Sequence, residues 1–352
     1  MRTLPLALML ALSLGARAAA QDFDDDDLFA PPSEGSGAEV EAPTSLEPAR
    51  LERGRAAMQA FFAPDLGGFV AMLAPPNGPR RRQRIEGLRD KLSAHEGLAY
   101  TVVEERAAAL DGRPAFAATL RSTRTGEAYE LLASFGPRGR ITAFKLRLSR
   151  KLAAQSPYLD YSTRNALRLP FGGTWQVMWG GRTIAQNYHA AFANQRFAYD
   201  FNIVQGGASH RGDPHQNTSY FAFGQPVLAP AAGTVVEVVD GIADNAPPQR
   251  NTKSLTGNHV VLGLGRGEFA LLGHLKDGSV RVRAGDRVAA GALLGLCGNS
   301  GNSSQPHLHF QLMRSADFAT TQSLPAQFLG YRADGQAVAR GEPVRGQRVA
   351  MP

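Results

Sequence analysis

Cysteine is nearly absent. Cys297 is the only one in 352 residues, so no disulfide can form within the chain. It ends the apolar run that begins at Ala292 and has no second cysteine near it, which argues for a small buried residue rather than a thiolate ligand or nucleophile. Long apolar runs are missing too. The longest, Leu4 to Leu14, is too short to cross a bilayer, and no stable membrane insertion is expected. No cysteine follows that run, so a lipid anchor on a processed N-terminal cysteine is excluded. There is no His-Glu-x-x-His pair on a helix, no internal repeat, and no basic run interleaved with aromatics. The last of these removes the usual footprint of a nucleic-acid binder.

What is present begins with an export signal. Arg2 precedes the apolar run, and Ala16-Arg17-Ala18 or Ala18-Ala19-Ala20 offers a small-residue cleavage site, so residues 1–20 read as a signal peptide. The mature chain is expected outside the cytoplasm, periplasmic or secreted. Its formal charge is +7, and loss of Arg2 and Arg17 with the signal leaves +5. A basic exported protein is drawn to the anionic polymers of a cell envelope. Residues 21–47 hold an acidic run, Asp24 to Asp27, then Pro31-Pro32, Ser33, Gly35, Ser36 and Gly37; they read as a disordered acidic linker.

Two folded regions follow. Residues 48–152 suggest a small α+β domain, with helices at Leu51–Phe62 and Arg84–Leu92, the second after a basic turn at Arg80-Arg81-Arg82. Strands are expected at Tyr100–Glu104, Ala115–Arg121, Ala128–Phe135 and Ile141–Leu148, with Asp111-Gly112 and Thr125-Gly126 as hairpin turns. Helices followed by a curved antiparallel sheet resemble, in pattern, the nuclear-transport-factor-2-like and cystatin-like domains. No catalytic constellation stands out there, and a docking role toward another envelope protein is one expectation for it. Residues 153–350 read as almost all β, with strands at Thr174–Trp179, Arg196–Val204, Pro226–Val239, His259–Leu264, Glu268–His274 and Val280–Val282, separated by glycine and proline.

The chemistry concentrates in this second region. Gly298 to Gln311 runs from a Gly/Asn/Ser loop into a short strand carrying His307 and His309. A strand repeats every two residues, so both imidazoles share a face, while Leu308 and Phe310 enter a core. Two imidazoles beside a glycine loop suit a metal site with an open position. Asp200 alternates with Phe197, Tyr199 and Phe201, which puts a carboxylate on the face opposite the aromatics. Such a charge needs a partner, either a metal or an arginine. His274 ends an apolar strand.

In order, Ala229-Pro230-Ala231-Ala232-Gly233-Thr234-Val235, Gly257-Asn258, Gly273-His274-Leu275, Gly285-Asp286-Arg287-Val288, Gly298-Asn299-Ser300-Gly301 and His307-Leu308-His309-Phe310 resemble the M23 metallopeptidases, the LytM or lysostaphin-type family. The resemblance covers roughly residues 170–315. It implies a mainly β peptidase domain whose antiparallel sheets form a groove, and an exported zinc endopeptidase acting on peptidoglycan stem peptides or cross-links through a zinc-activated water. Carried over residue by residue, it implies Asp200 and His309 as zinc ligands and His274 and His307 as catalytic histidines. The first ligand departs from the commonest His-x-x-x-Asp pattern, because Arg196 stands four residues before Asp200. A subgroup of the family resembles Asn187-Tyr188-His189 followed by Gln195-Arg196-Phe197-Ala198, which points to His189; His210 and His215 compete for the role, and His259 stays unassigned. The alternative from another class is a non-catalytic LytM-type module that binds or activates another wall hydrolase.

Overall fold

The computed structural model describes residues 47–75 and 78–352. The signal segment, and the linker up to residue 46, lie outside the described residues. No described helix is long and apolar enough to cross a membrane. The chain divides into two compact units: residues up to Ala118 with Leu131–Leu146, and Thr119–Glu130 with Arg147–Pro352.

The first unit holds helices α1 (Pro48–Phe62), α2 (Gly67–Met72) and α3 (Pro79–Glu96). Both long helices open on a proline, whose missing N–H would have no partner in the first turn anyway. The Pro79 start carries α3 back over Arg80, Arg81 and Arg82, so the basic stretch expected as a turn is the first turn of the helix. Gly97, at φ 73°, closes it. A four-stranded antiparallel sheet follows in the order β1 (Tyr100–Leu110), β2 (Arg113–Ser122), β3 (Ala128–Phe135) and β4 (Ile141–Leu148). Its core is aromatic. Phe61, Phe69 and Phe144 meet at centroid distances of 4.8–5.2 Å. Phe116 lies over Gly54, where any Cβ would come within 2.1 Å of the ring.

The second unit is built on one long sheet. Its strands in chain order are β5 (Thr174–Trp179), β6 (Tyr199–Asn202), β7 (Pro226–Leu228), β8 (Gly233–Val239), β9 (Asn258–Gly265), β10 (Glu268–Leu275), β11 (Arg287–Val288), β12 (Leu293–Leu296), β13 (Leu308–Met313), β14 (Ser323–Leu324), β15 (Phe328–Ala333), β16 (Gln336–Gly341) and β17 (Arg348–Ala350). Their spatial order is β11-β8-β9-β10-β13-β6-β5-β17-β15-β16, with β14 paired to β13 and with β7 and β12 forming a separate ribbon. This is the mainly β architecture expected, preceded by a small α+β region. Three local expectations change. The stretch 226–239 is two strands interrupted by Ala229–Ala232. Val280–Val282 is not a strand; the Arg281 N–H donates to Leu294 O at 2.8 Å. Arg196–Ala198 turns into β6 instead of belonging to it.

Alternation sorts the central strands. Leu308, Phe310 and Leu312 of β13 join Tyr199 and Phe201 of β6 and Ala270 and Leu272 of β10 in one buried core. Each large side chain contributes about 1.5–3 kcal/mol by leaving water. Cys297 lies in the same core, and burial pushes its thiol pKa up, so it stays protonated. The opposite face of the same strands carries Val261, Leu271 and Met313 in a smaller apolar cluster and, beside it, the polar site.

Candidate metal centre and catalytic histidines

Three adjacent strands bring the site together. Asp200 of β6 lies directly opposite His309 of β13, and His309 lies directly opposite Gly273 of β10. His309 Nδ1 is 2.9 Å from Asp200 Oδ1. His189 comes from a 3-10 turn, Tyr188–Ala191, and its Nε2 is 2.9 Å from Asp200 Oδ2. That turn is held by Asn187. Its side-chain oxygen accepts the His189 N–H at 3.2 Å, and its amide donates to the carbonyls of Gly181 and Ala198. One ligand atom from each of His189, Asp200 and His309 lies within 4.8 Å of the others.

His210 and His215 are not in this cluster. His210 packs on Tyr220, and His215 donates from Nδ1 to Pro247 O at 3.1 Å. Arg196 is not the partner of Asp200 either. Its guanidinium donates to the carbonyls of Ala154 and Arg182, at 2.9 and 2.8 Å. His259 donates from Nδ1 to Gly257 O at 2.8 Å, one strand away.

His274 reaches the site by breaking the alternation. Ala270 and Leu272 face the core, so period two would send residue 274 there as well. The β9–β10 register slips between Leu272 and Leu275, and His274 adopts φ 59°, a left-handed backbone costly for a residue with a side chain. Leu275 thereby takes the core position, and the imidazole turns to the other face. Its Nδ1–H donates to Ser300 O at 2.8 Å. That carbonyl is delivered by a glycine contact, since a Cβ on Gly257 would come within 2.3 Å of Ser300 O and one on Gly301 within 2.3 Å of the Gly257 nitrogen. His307 lies just before β13, not within it, and its Nδ1–H donates to Gln305 O at 2.8 Å. Both rings therefore present Nε2 as a lone pair. Their centroids are 4.8 Å apart, and His307 Nε2 is 3.6 Å from Asp200 Oδ1.

Electrostatics set the charge states. Burial pushes the imidazolium pKa of His189 and of His307 down, against the pull of Asp200. Burial, with repulsion from His307 and His309, pushes His274 well down. Burial alone would raise the Asp200 carboxyl, but His189 and His307 hold it well below the usual range. The result is a buried carboxylate faced, among the described residues, only by imidazoles, two of which prefer to be neutral. The His189 Nδ1 is buried with no hydrogen-bond partner. Two imidazoles and one carboxylate fit a tetrahedral zinc with one position left over, and fit magnesium or calcium poorly, because those ions take oxygen ligands.

Sequence reasoning missed Gln311 and Asn187, both 0% exposed at the site's edge. The alternation His307, His309, Gln311 was the available signal for the first; the second lies in a loop with no period to read.

Comparison with known proteins bears on the same stretch. The model of Peptidase family M23 matches residues 213–321, which contains His274, His307 and His309 but neither His189 nor Asp200. Glycyl-glycine endopeptidase ALE-1 of Staphylococcus capitis is 32% identical over 155 residues, covering 42% of this chain and 38% of that protein. Peptidoglycan DD-endopeptidase ShyA of Vibrio cholerae is 30% identical over 143 residues, covering 37% and 30%. The chain thus spans about a third of the length of these relatives. Among solved structures, the catalytic domain of lysostaphin from Staphylococcus simulans aligns with 42% of this chain and 86% of its own at 24% identity and TM-score 0.26.

Proposed function

We propose, from the match of residues 213–321 to the model of Peptidase family M23, that this chain is an exported zinc endopeptidase that hydrolyses peptide bonds in peptidoglycan stem peptides or cross-links. The observation that carries the reading is the Asp200 carboxylate, enclosed by His189 and His309 within hydrogen-bond distance and flanked by two imidazoles with free Nε2 atoms. His189, Asp200 and His309 would hold the zinc. When bound, zinc supplies Lewis acidity, lowering the pKa of a water and polarising the scissile carbonyl. The remaining work falls to His274 and His307. Both are kept neutral by burial and fixed by main-chain carbonyls, so each can accept a proton at Nε2 from the attacking water and return one to the leaving amine. The relatives named for glycyl-glycine and DD-endopeptidase activity support a wall peptide as substrate.

The test is release of new amino termini from purified peptidoglycan, with and without a zinc chelator, and with His309→Ala. Chelator-sensitive release that is lost in the variant is expected. Zinc bound without release would turn the reading toward a regulatory module that acts on another hydrolase.

A further inference from the structure

We infer that Gln311 fixes the proton arrangement of His309 and so acts as a positioning residue for the metal at Asp200. The inference rests on the zinc reading above. Gln311 follows His309 by two residues on β13, shares its face, and is fully buried. The two ends of a primary amide look alike, so its orientation is decided by its partners. The main-chain oxygen of Asn194 can only accept, and it lies 3.1 Å from Gln311 Nε2. That fixes the NH2 end.

The Gln311 carbonyl oxygen then faces His309 Nε2 at 3.1 Å. It too can only accept, so the proton of His309 is on Nε2. Metal ligation requires the neutral ring, which carries one N–H. Nδ1 is therefore a lone pair, aimed at Asp200 Oδ1 from 2.9 Å. Two acceptors at that separation repel unless a cation lies between them. Gln311 thus holds His309 in the form a metal needs. His274 and His307 are set the opposite way, with Nδ1–H tied to carbonyls and Nε2 left free. The same amide also joins β13 to the 3-10 turn Ala193–Gln195, next to the turn that carries His189. One side chain so links the strand-borne ligand to the segment of the loop-borne one.

The test compares zinc affinity, by competition with a chromophoric chelator, for the full chain and two variants. Gln311→Glu keeps an acceptor for His309 but cannot donate to Asn194. Gln311→Met keeps the volume and does neither. Both lose the Asn194 bond, and they differ in the acceptor and in the negative charge that Gln311→Glu adds, so the affinities are read together with the spectra below. Gln311→Met is expected to bind zinc about 10- to 100-fold more weakly, and Gln311→Glu within about threefold of the parent. Equal weakening in both, or in neither, overturns the role of Gln311. A second readout needs no variant: nitrogen-15 spectra of the zinc-loaded parent should show His309 protonated at Nε2 and unprotonated at Nδ1, and a proton on Nδ1 overturns the inference even if Gln311→Met does not fold. A parent that binds no zinc sinks the zinc reading and the role of Gln311 with it. A parent that binds zinc while the variants match leaves the zinc reading standing and removes Gln311 alone.

Discussion

Glu268 and Asp200 are both enclosed carboxylates on the long sheet, 0% and 1% exposed, and they are satisfied in opposite ways. Glu268 Oε1 accepts from the Tyr161 hydroxyl and the Arg164 N–H, at 2.9 and 2.6 Å. Its Oε2 accepts from the Asn165 N–H and side-chain amide, at 3.0 and 2.6 Å. Four fixed donors complete that charge. Among the described residues Asp200 meets only ring nitrogens, whose protons are conditional on tautomer and pH. A buried charge with permanent donors is a structural fastening. A buried charge faced by imidazoles is one left for a cation to complete.

The largest effect that can break this contrast is Asp200→Asn. It removes the only formal charge of the ligand set while keeping its shape. Zinc affinity should fall by more than the roughly 10- to 100-fold typical of a lost outer partner, and release of amino termini from peptidoglycan should fall to background. The metal-free protein should lose little stability, within about 1 kcal/mol, because no fixed donor is orphaned. Undiminished zinc affinity, measured by equilibrium dialysis, would mean that Asp200 is not a ligand.

Glu268→Gln should do the reverse. Its NH2 end would confront donors that the carboxylate now satisfies, and the cost in unfolding free energy should be on the order of 2–3 kcal/mol. Zinc affinity should hold. Denaturant unfolding reports the first quantity and chelator competition the second; a parallel loss of both would show that the two carboxylates are not separable.

The same contrast bears on what could be read from residues alone. Strand β13 was legible because Leu308, Phe310 and Leu312 alternate with His309 and Gln311, and a sheet enforces that period; His307 continues the pattern one residue before the strand begins. The exact spans of β3, β4 and β5 were legible for the same reason, helped at the start of β3 by the turn at Thr125-Gly126. Asp200 stood out as a charge among aromatics. His274 was not readable from period at all, since alternation assigns it to the core and only the left-handed kink re-aims it. Its place at the site came from resemblance. His189 is harder still. It stands on a 3-10 turn whose geometry depends on Asn187 reaching carbonyls six residues before and eleven after, contacts without a local signature. Strands β14 and β17 were missed because each is two or three residues long and pairs with a strand distant in sequence; β15 and β16 form a hairpin across Asp334-Gly335, a turn signal that was present and not used.

The smallest effect is in the pH dependence of the metal-free protein, and it tests which groups carry charge around Asp200. Burial keeps His189, His274 and His307 below their unfolded value of 6.5. Their contribution to stability is fully present above that value. It is lost as pH falls through 6.5, where the unfolded chain takes protons that the folded imidazoles refuse, and it levels off below the folded values. The slope is at most about 1.4 kcal/mol per pH unit for each ring. Asp200 itself adds no slope above about pH 5, since its folded pKa lies well below 3.8 and it is ionised in both states. In Asp200→Asn the attraction that partly offsets burial at His189 and His307 is gone, so those rings refuse protons to lower pH and the decline should run further. Glu268→Gln should run parallel to the parent, only lower. Thermal midpoints of chelator-treated protein between pH 7.5 and 5 separate the curves. A parent curve that stays level or rises as pH falls to 5 would mean that the imidazoles are already charged in the folded protein. Asp200 would then be held by ion pairs as firmly as Glu268 is held by its donors, and no cation would be needed to complete it.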